Sequence, residues 1–416
     1  MILHHCGLYS AKRKSAVAIS PTRFPATLSL VLPMPTINTL VAAAGLLTSG
    51  LAALYSLLTL LAVATWRHQG NRVSSRSLSP VTVLKPLCND EPQLYEHLRT
   101  FCQQDFAEFQ LVFGVRNRTD PALMAVRRLV SEFPHLPIEV VIDPTLHGKN
   151  YKVSNLINMQ AYARHDVLVV ADSDTWVGED YLASVTAPLQ NASIGLVTCT
   201  YRGVPTRRVA SRLGAMYVNE WYMPSVLLAR LFGFEGYVSG QTLCLRRSTL
   251  EAVGGLQAVA NHLADDFRLG ELVRKAGLKV LVSRYHVTAQ HDEEDFVALV
   301  QHELRWMRTL RVLRPRSFAM LFLSFSLPMA VAGMLLSLGQ PAVMRVAWVL
   351  LGVTMTARLL INSMHRKPTE SSLWGDLWLL PLRELLILGV WCGSFVGSRI
   401  QWRGTAFEVD TDGIMR

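Results

Sequence analysis

The stretch HDVLVVADSDTWVGEDYL, residues 165–182, carries an apolar run that ends in two carboxylates with a serine between them. Val167 to Ala171 read as a fully buried strand, and Asp172 and Asp174 fall where that strand would leave its sheet. Ligands of open α/β sheets gather beyond the carboxyl ends of the strands. Two carboxylates beside a diphosphate would repel it unless a divalent cation stood between them, and Mg2+ or Mn2+ typically takes a few carboxylates plus phosphate oxygens. Asp172 and Asp174 therefore point to a metal and a phosphorylated ligand. An isolated D-x-D is also a common strand-to-loop turn, so the surroundings have to carry the reading.

Further groups able to do chemistry flank this triplet. In VTVLKPLCNDEPQL, Val81 to Leu84 form a strand and the following loop carries Asp90. FQLVFGVRNRTDPA repeats the plan, with a strand ending near Asn117 and Asp120. Strands followed by polar loops build a Rossmann-like half, and the missing GxGxxG favours a mononucleotide over NAD. HGKNYKVSNL places Gly148, Lys149, Lys152 and Asn155 just before a helical segment, a cationic contribution to phosphate binding. NHLADDFRLGELVRKAG puts Asp265 and Asp266 at the head of an amphipathic helix, Phe267 to Lys275. Acids cap helix N-termini, but one cap does not need two of them. A carboxylate held near a reacting sugar could instead take the proton of an attacking hydroxyl. Finally, QHELRWMRTLRVLRPR sets Leu304, Met307, Leu310 and Leu313 beside Arg305, Arg308, Arg311 and Arg314, the pattern of an interfacial amphipathic helix.

These groups need a scaffold, and composition says where it lies. Half of the 416 residues are hydrophobic, unevenly spread. Ile37 to Trp66 is free of charge and longer than the roughly 20 residues that cross a bilayer, so residues 37–66 read as a transmembrane anchor rather than a cleaved signal. Phe318–Leu338, Val343–Ile361 and Leu373–Val396 could each span or re-enter the membrane, a C-terminal block within 317–398 interrupted by Arg345, Arg358, Arg383 and Glu384. Between them, residues 67–316 alternate short Val/Ile/Leu strands with longer mixed segments, as in an α/β domain. Residues 399–416 form a tail. The first 36 residues are polar and contain AKRK at 11–14; a disordered segment and an upstream extension of a chain that starts at Met34 both fit them.

Arg67, Arg72, Arg76 and Lys85 follow the first apolar run, whereas the nearest upstream basic residue is Arg23, which orients the central domain to the cytoplasm. Six cysteines without CxxC or metal spacing are expected as reduced thiols. The net charge of +10 clusters near the membrane segments without an aromatic-interleaved patch or zinc pattern, so anionic lipid headgroups, not nucleic acid, are the expected partner.

The ordered set KPLCNDEP, ADSD, VSGQTLCLRR, LADDFRL and HELRW resembles the membrane-bound inverting glycosyltransferases of the ceramide glucosyltransferase family, most closely its bacterial branch linked to hopanoid glycosylation. The likeness runs from about Leu40 to the QWRGTAFEV tail. It implies a GT-A fold, here a Rossmann-like mixed α/β sheet domain flanked by transmembrane helices, with a UDP-sugar donor, a divalent cation and a membrane lipid acceptor. It places Asp90 next to the nucleotide, Asp172 as the first acid of the D-x-D element and Asp174 as the metal-facing one. Asp266 matches the catalytic base, preceded by Asp265 in place of a common glutamate. Arg305 and Trp306 match the end of the Q/R-x-x-R-W motif, whose first position is occupied here by His302. Gly240 and Gln241 fall in the segment on the acceptor side.

In this reading a cation at Asp174, with Arg305 and Lys152, stabilises the departing UDP while Asp266 deprotonates a lipid hydroxyl, a single displacement with inversion. The sugar is N-acetylglucosamine on a polyhydroxylated hopanoid by the bacterial likeness, or glucose on ceramide by the wider family. A processive polysaccharide synthase would need more spans and a Gln at position 302. A non-catalytic membrane scaffold would leave the acids as helix caps.

Overall fold

The structure, a computed structural model, describes residues 36–66, 78–89, 91–364, 378–397, 399–402, 405–410 and 412–416. Asp90, Arg67, Arg72 and Arg76 lie outside the described residues. Helix α1 (Ile37–Thr65) precedes β1 (Val81–Pro86), α2 (Leu94–Cys102), β2 (Phe109–Val115), α3 (Ala122–Glu132), β3 (Ile138–Ile142), α4 (Tyr151–Gln160) and β4 (Val167–Val170). The order continues with β5 (Thr175–Trp176), α5 (Tyr181–Thr186), β6 (Ile194–Pro205), α6 (Val209–Met216), a π-helical turn at Tyr217–Tyr222 and α7 (Met223–Leu231). Next come β7 (Leu243–Arg246), α8 (Arg247–Ala252), α9 (Asp265–Lys275) and β8 (Lys279–His291). The C-terminal part holds α10 (Phe296–Leu313), α11 (Pro315–Ala319), α12 (Ser326–Leu336), α13 (Pro341–Met364), α14 (Leu379–Ser394) and the β9 (Arg399–Trp402) to β10 (Thr405–Glu408) hairpin.

The expected mixed sheet is present: eight strands in the order β3-β2-β1-β4-β7-β6-β8-β5. Strands β3, β2, β1 and β4 are mutually parallel, and β7 runs antiparallel between β4 and β6. The chain leaves β1 to build β2 and β3 on one side, then returns to place β4 on the other. The carboxyl ends of β1 and β4 thus meet at a switch point, where such sheets open a crevice. Helices cover both faces, which is why these strands are almost continuously apolar. Side chains alternate between two cores: Val83, Leu111, Phe113 and Val169 face α2, α3 and α5, whereas Leu84, Val112, Leu168 and Val170 face α4, α8 and α9.

Among the described residues two helices, α1 and α13, are long and apolar enough to cross a membrane. The segment expected to span or re-enter at Phe318–Leu338 is a pair, Pro315–Ser324 and Ser326–Leu336, bent by 62°, the form of a broken span or a re-entrant loop. The described part of the third, α14, has 16 residues. Small residues let α1 and α12 approach closely: a Cβ on Gly45 would sit 2.5 Å from the Gly333 carbonyl oxygen. Of the charges that interrupt the apolar block, Arg358, Arg383 and Glu384 are buried against protein, whereas Arg345 is exposed. Arg383 of α14 donates to both Glu303 oxygens at 2.6 and 2.7 Å, and Arg358 of α13 pairs with Glu384.

Helix α10, expected as an amphipathic helix, turns its apolar stripe onto protein. Met307 is fully buried, and Leu304 and Leu310 pack into the cluster formed by the π-helical turn and α14. Arg308 and Arg311 donate to the carbonyls of Val396 and Gly397 at 2.9 Å. Its apolar stripe is spent on protein, because α14 returns to cover it.

Candidate active site

At the switch point, Asp172 follows β4 and its carboxylate meets Lys152 Nζ at 2.5 Å. Lys152 sits in the first turn of α4, one residue after the helix starts, rather than ahead of it as expected. Asn150 caps that helix by accepting from Val153 N at 3.1 Å, and its amide donates to Asp265 Oδ1 at 3.3 Å. Lys152 also lies 4.0 Å from Asp265 Oδ2. Burial opposes a charged Lys152, but Asp172 and Asp265 outweigh it and hold the ammonium well above its usual range.

Helix α9 begins at Asp265, two residues earlier than the sequence suggested. Both oxygens of Asp266 are held by main-chain donors, Oδ2 by Gly240 N at 2.7 Å and Oδ1 by Phe267 N at 2.6 Å. Burial, with Asp265 beside it, pushes this carboxyl up to about 6. Burial raises Asp265 as well. Gly240 is the meeting point: a Cβ there would lie 2.9 Å from Lys152 Nζ, 3.3 Å from Asp172 Oδ2 and 3.6 Å from Asp266 Oδ2. The D-x-D element, the α4 lysine and the α9 acid therefore face one small space.

Asp174 stands on the far side of the triplet. Its main-chain oxygen accepts from Gln290 N at 3.1 Å, and Thr175, whose hydroxyl bonds Gln241, lies within 3.4 Å of its carboxylate. Burial raises Asp174 to about 7, with the negative charges of Asp172 and Glu91 adding to it. Crowded, buried acids of this kind are relieved by a cation, and their hard oxygens suit Mg2+ or Mn2+. Among the described residues no group of three or more His, Cys, Asp or Glu side chains forms a cage. Two carboxylates completed by phosphate oxygens remain the arrangement these residues fit.

His302 and Trp306, one turn apart on α10, pack with ring centroids at 4.1 Å and their planes tilted by 53°. They join a cluster in which Glu293 Oε1 lies 3.2 Å from His291 Nδ1 and 3.0 Å from His302 Nδ1. Burial disfavours the Glu293 charge, but the two histidine hydrogen bonds win and hold it well below the usual carboxylate range. Burial, reinforced by Arg305, lowers His302 to about 4, so its ring is neutral at pH 7. Arg305 is half-buried on the same helix.

Lys85 corrects the sequence reading. Counted there among the basic residues flanking the first span, it is fully buried at the end of β1, over the Phe101 ring at 3.8 Å. Its ammonium donates to the Asp172 carbonyl at 2.5 Å, joining the ends of β1 and β4. Burial brings it down to about 7 against the pull of Asp174 and Asp172. A lone lysine ending a buried strand was the available signal, the same one that exposed Asp172. Asp120, expected at the nucleotide pocket, braces the loop: its Oδ1 accepts from Asn89 N at 3.1 Å and Ala122 N at 3.0 Å. His291 and Glu293 carried no such signal.

The profile of Glycosyl transferase family 21 matches residues 46–415. "Ceramide glucosyltransferase 1" of Caenorhabditis elegans is 23% identical over 243 residues, 58% of this chain and 51% of the relative. "Ceramide glucosyltransferase 3" of the same organism is 21% identical over 338 residues, 80% of this chain and 73% of the relative. The chain thus spans about half the length of the first. Among solved structures, a mannosyltransferase of Pyrobaculum calidifontis in complex with GDP-Man and Mn2+ aligns with TM-score 0.48 and 18% identity, covering 86% of this chain and 99% of that one. Glucosyl-3-phosphoglycerate synthase of Mycobacterium tuberculosis with Mn2+, UDP and phosphoglyceric acid aligns with TM-score 0.36 and 17% identity, covering 57% and 79%. With its profile matched over nearly the whole length, the chain belongs to glycosyl transferase family 21.

Proposed function

We propose that this protein is a membrane-bound inverting glycosyltransferase that moves one sugar from a UDP-sugar to a lipid hydroxyl. The observation that carries the reading is the convergence of Lys152, Asp172 and Asp266 on Gly240 at the sheet's switch point. Asp266 is the base: fixed by two N–H groups and raised toward neutrality, it is oriented to receive the proton of an incoming hydroxyl. Lys152 holds Asp172 and opposes the charge of the departing diphosphate. A divalent cation held by Asp174 and Asp172 would supply Lewis-acid stabilisation of that leaving group. Arg305 and Trp306 support the donor side from α10, with Asp90 beside the nucleotide. Gly240 and Gln241 form the acceptor side.

The domain is placed on the cytoplasmic face of a bacterial inner membrane, between α1 and the C-terminal helices, so that a poorly soluble acceptor is presented beside the donor. The ordered motifs support N-acetylglucosamine transfer to a polyhydroxylated hopanoid. The relatives named ceramide glucosyltransferases support a second reading, glucose onto ceramide. Mass spectrometry of lipids from a host with and without the chain decides between them, and absence of any new glycolipid refutes both. Chain-length analysis of the product separates single transfer from a polysaccharide ladder.

A further inference from the structure

The last third of α1 is clad by α7. Tyr55 Oη meets Ser225 Oγ at 2.9 Å, Leu227 and Leu228 pack on Ala62 and Val63, and the Arg230 guanidinium lies 5.1 Å from the Trp66 ring. The two helices therefore run side by side in the same direction and end at the same level. Arg284 reaches the same indole, at 5.4 Å. A tryptophan closing an apolar span, with two guanidinium groups over it, is the chemistry of a headgroup layer.

Beyond Arg230 the chain turns sharply. Gly233, at φ +81°, donates to the Arg230 carbonyl at 2.9 Å and Phe234 donates to Ala229 O at 3.0 Å, a left-handed helix stop. The turn leaves Leu231, Phe232 and Phe234 exposed at 48, 61 and 68%. Single exposed apolar residues are ordinary, but three within four positions are not. They lie at the Trp66 end of α1, the span whose Leu54, Leu57 and Leu61 face outward, exposed at 53, 48 and 50%. Cations flank the far stem: Arg274 donates to Glu235 O at 3.2 Å, and an Arg314 guanidinium nitrogen lies 3.7 Å from where a Cβ on Gly236 would stand. From there the chain leads inward. Tyr237 lies 6.4 Å from the Tyr222 ring, and Gly240 then donates to Asp266. Asp266 in turn adds to burial in pushing up the Tyr222 hydroxyl.

We infer that the Leu231–Gly236 turn is a bilayer-inserted lip at the acceptor entrance, anchored at headgroup level by Arg230 and Arg284 and continuous through Tyr237 and Tyr222 with the base. The inference rests on α1 being a membrane span and on the proposed lipid acceptor. The packing of α7 along α1, which brings the turn to the Trp66 end of the span, selects the bilayer as occupant, and the surrounding guanidinium groups match anionic headgroups.

The test places photoreactive benzoylphenylalanine singly at Phe232, Phe234, Leu57 and Met124 in the full chain, reconstituted in vesicles of phosphatidylcholine and phosphatidylglycerol. Met124 is 71% exposed on α3 and serves as the solvent reference. Lipid cross-linking at Phe232 and Phe234 is expected to match Leu57 and to exceed Met124 by about tenfold. Labelling of Leu57 with Phe232 and Phe234 at the Met124 level overturns the lip alone. No labelling of Leu57 overturns the anchor and the lip with it. In a second arm, the Phe232→Ser, Phe234→Ser variant should bind UDP as the parent does. Its transfer to acceptor embedded in vesicles should fall about tenfold and recover when the acceptor is offered in detergent. Unchanged transfer on vesicles overturns the role at the entrance.

Discussion

The main-chain N–H of Gly240 donates to Asp266 Oδ2 at 2.7 Å, so the segment after the lip and the head of α9 are registered against each other at the proposed base. A side chain at Gly240 would first meet Lys152 Nζ, the movable end of a long side chain. Gly240→Ala should therefore fold, with its melting temperature close to the parent's, while kcat/KM drops on the order of 100-fold as the Lys152–Asp172 pair is displaced. Thermal unfolding and steady-state kinetics on the same preparation check this; unimpaired kinetics would refute the assignment.

Asp266→Asn should retain UDP binding and lose turnover by about 100-fold to 10000-fold, the usual contribution of a positioned base. Calorimetric titration with UDP separates the two effects. Intact turnover would remove the base.

The same carboxyl sets a pH limb. Burial raises Asp266 to about 6, so the protonated, inactive form accumulates below that value and the carboxylate above it. The kcat/KM of the parent should climb with pH through about 6 and level off toward pH 8. A profile that stays flat between pH 5 and pH 7 would contradict the role.

Removing divalent ions by chelation should abolish transfer and weaken UDP binding, with recovery on adding Mn2+ or Mg2+. Asp174→Asn should reproduce the loss without recovery at ordinary metal concentrations. Full activity in chelator would exclude metal assistance.

His302 tests stability rather than rate. Its folded value of about 4 lies below the unfolded 6.5, so the unfolded chain takes up the extra proton as pH falls between them. Stability from this group is present above 6.5 and is lost toward pH 4. Glu293, held low, adds an acid-side loss of the same sign below its ordinary range. Melting temperature should fall from pH 7 to pH 5 in the parent and fall less in His302→Gln.

The acids of the site were legible because each broke a pattern: Asp172 and Asp174 closed an apolar strand, and Asp265 and Asp266 doubled a cap that needs one acid. The sheet was legible from its alternating strands, though not the antiparallel insertion of β7 between β4 and β6. Lys152 was seen but misplaced by a turn, since its helix starts at an asparagine cap. Asp265 pairs with Asn150, which is 115 positions away, and no local spacing reveals that. The Glu293 cluster forms only when the end of β8 meets α10, and Arg383 finds Glu303 from 80 residues away. Arginines in apolar helices blurred the span boundaries for that reason: their partners belong to other segments.

That last pair decides how the catalytic unit can be handled in the laboratory. Glu303 is almost wholly enclosed, and one arginine donated by α14 compensates it. A chain cut after Leu313 would strand that carboxylate without its counter-ion and strip the greasy side of α10, a penalty of about 3–5 kcal/mol for the orphaned charge alone. Attempts to harvest residues 78–313 as a water-soluble enzyme should yield precipitate, whereas cutting nothing and working in a lipid nanodisc keeps the motif helix seated.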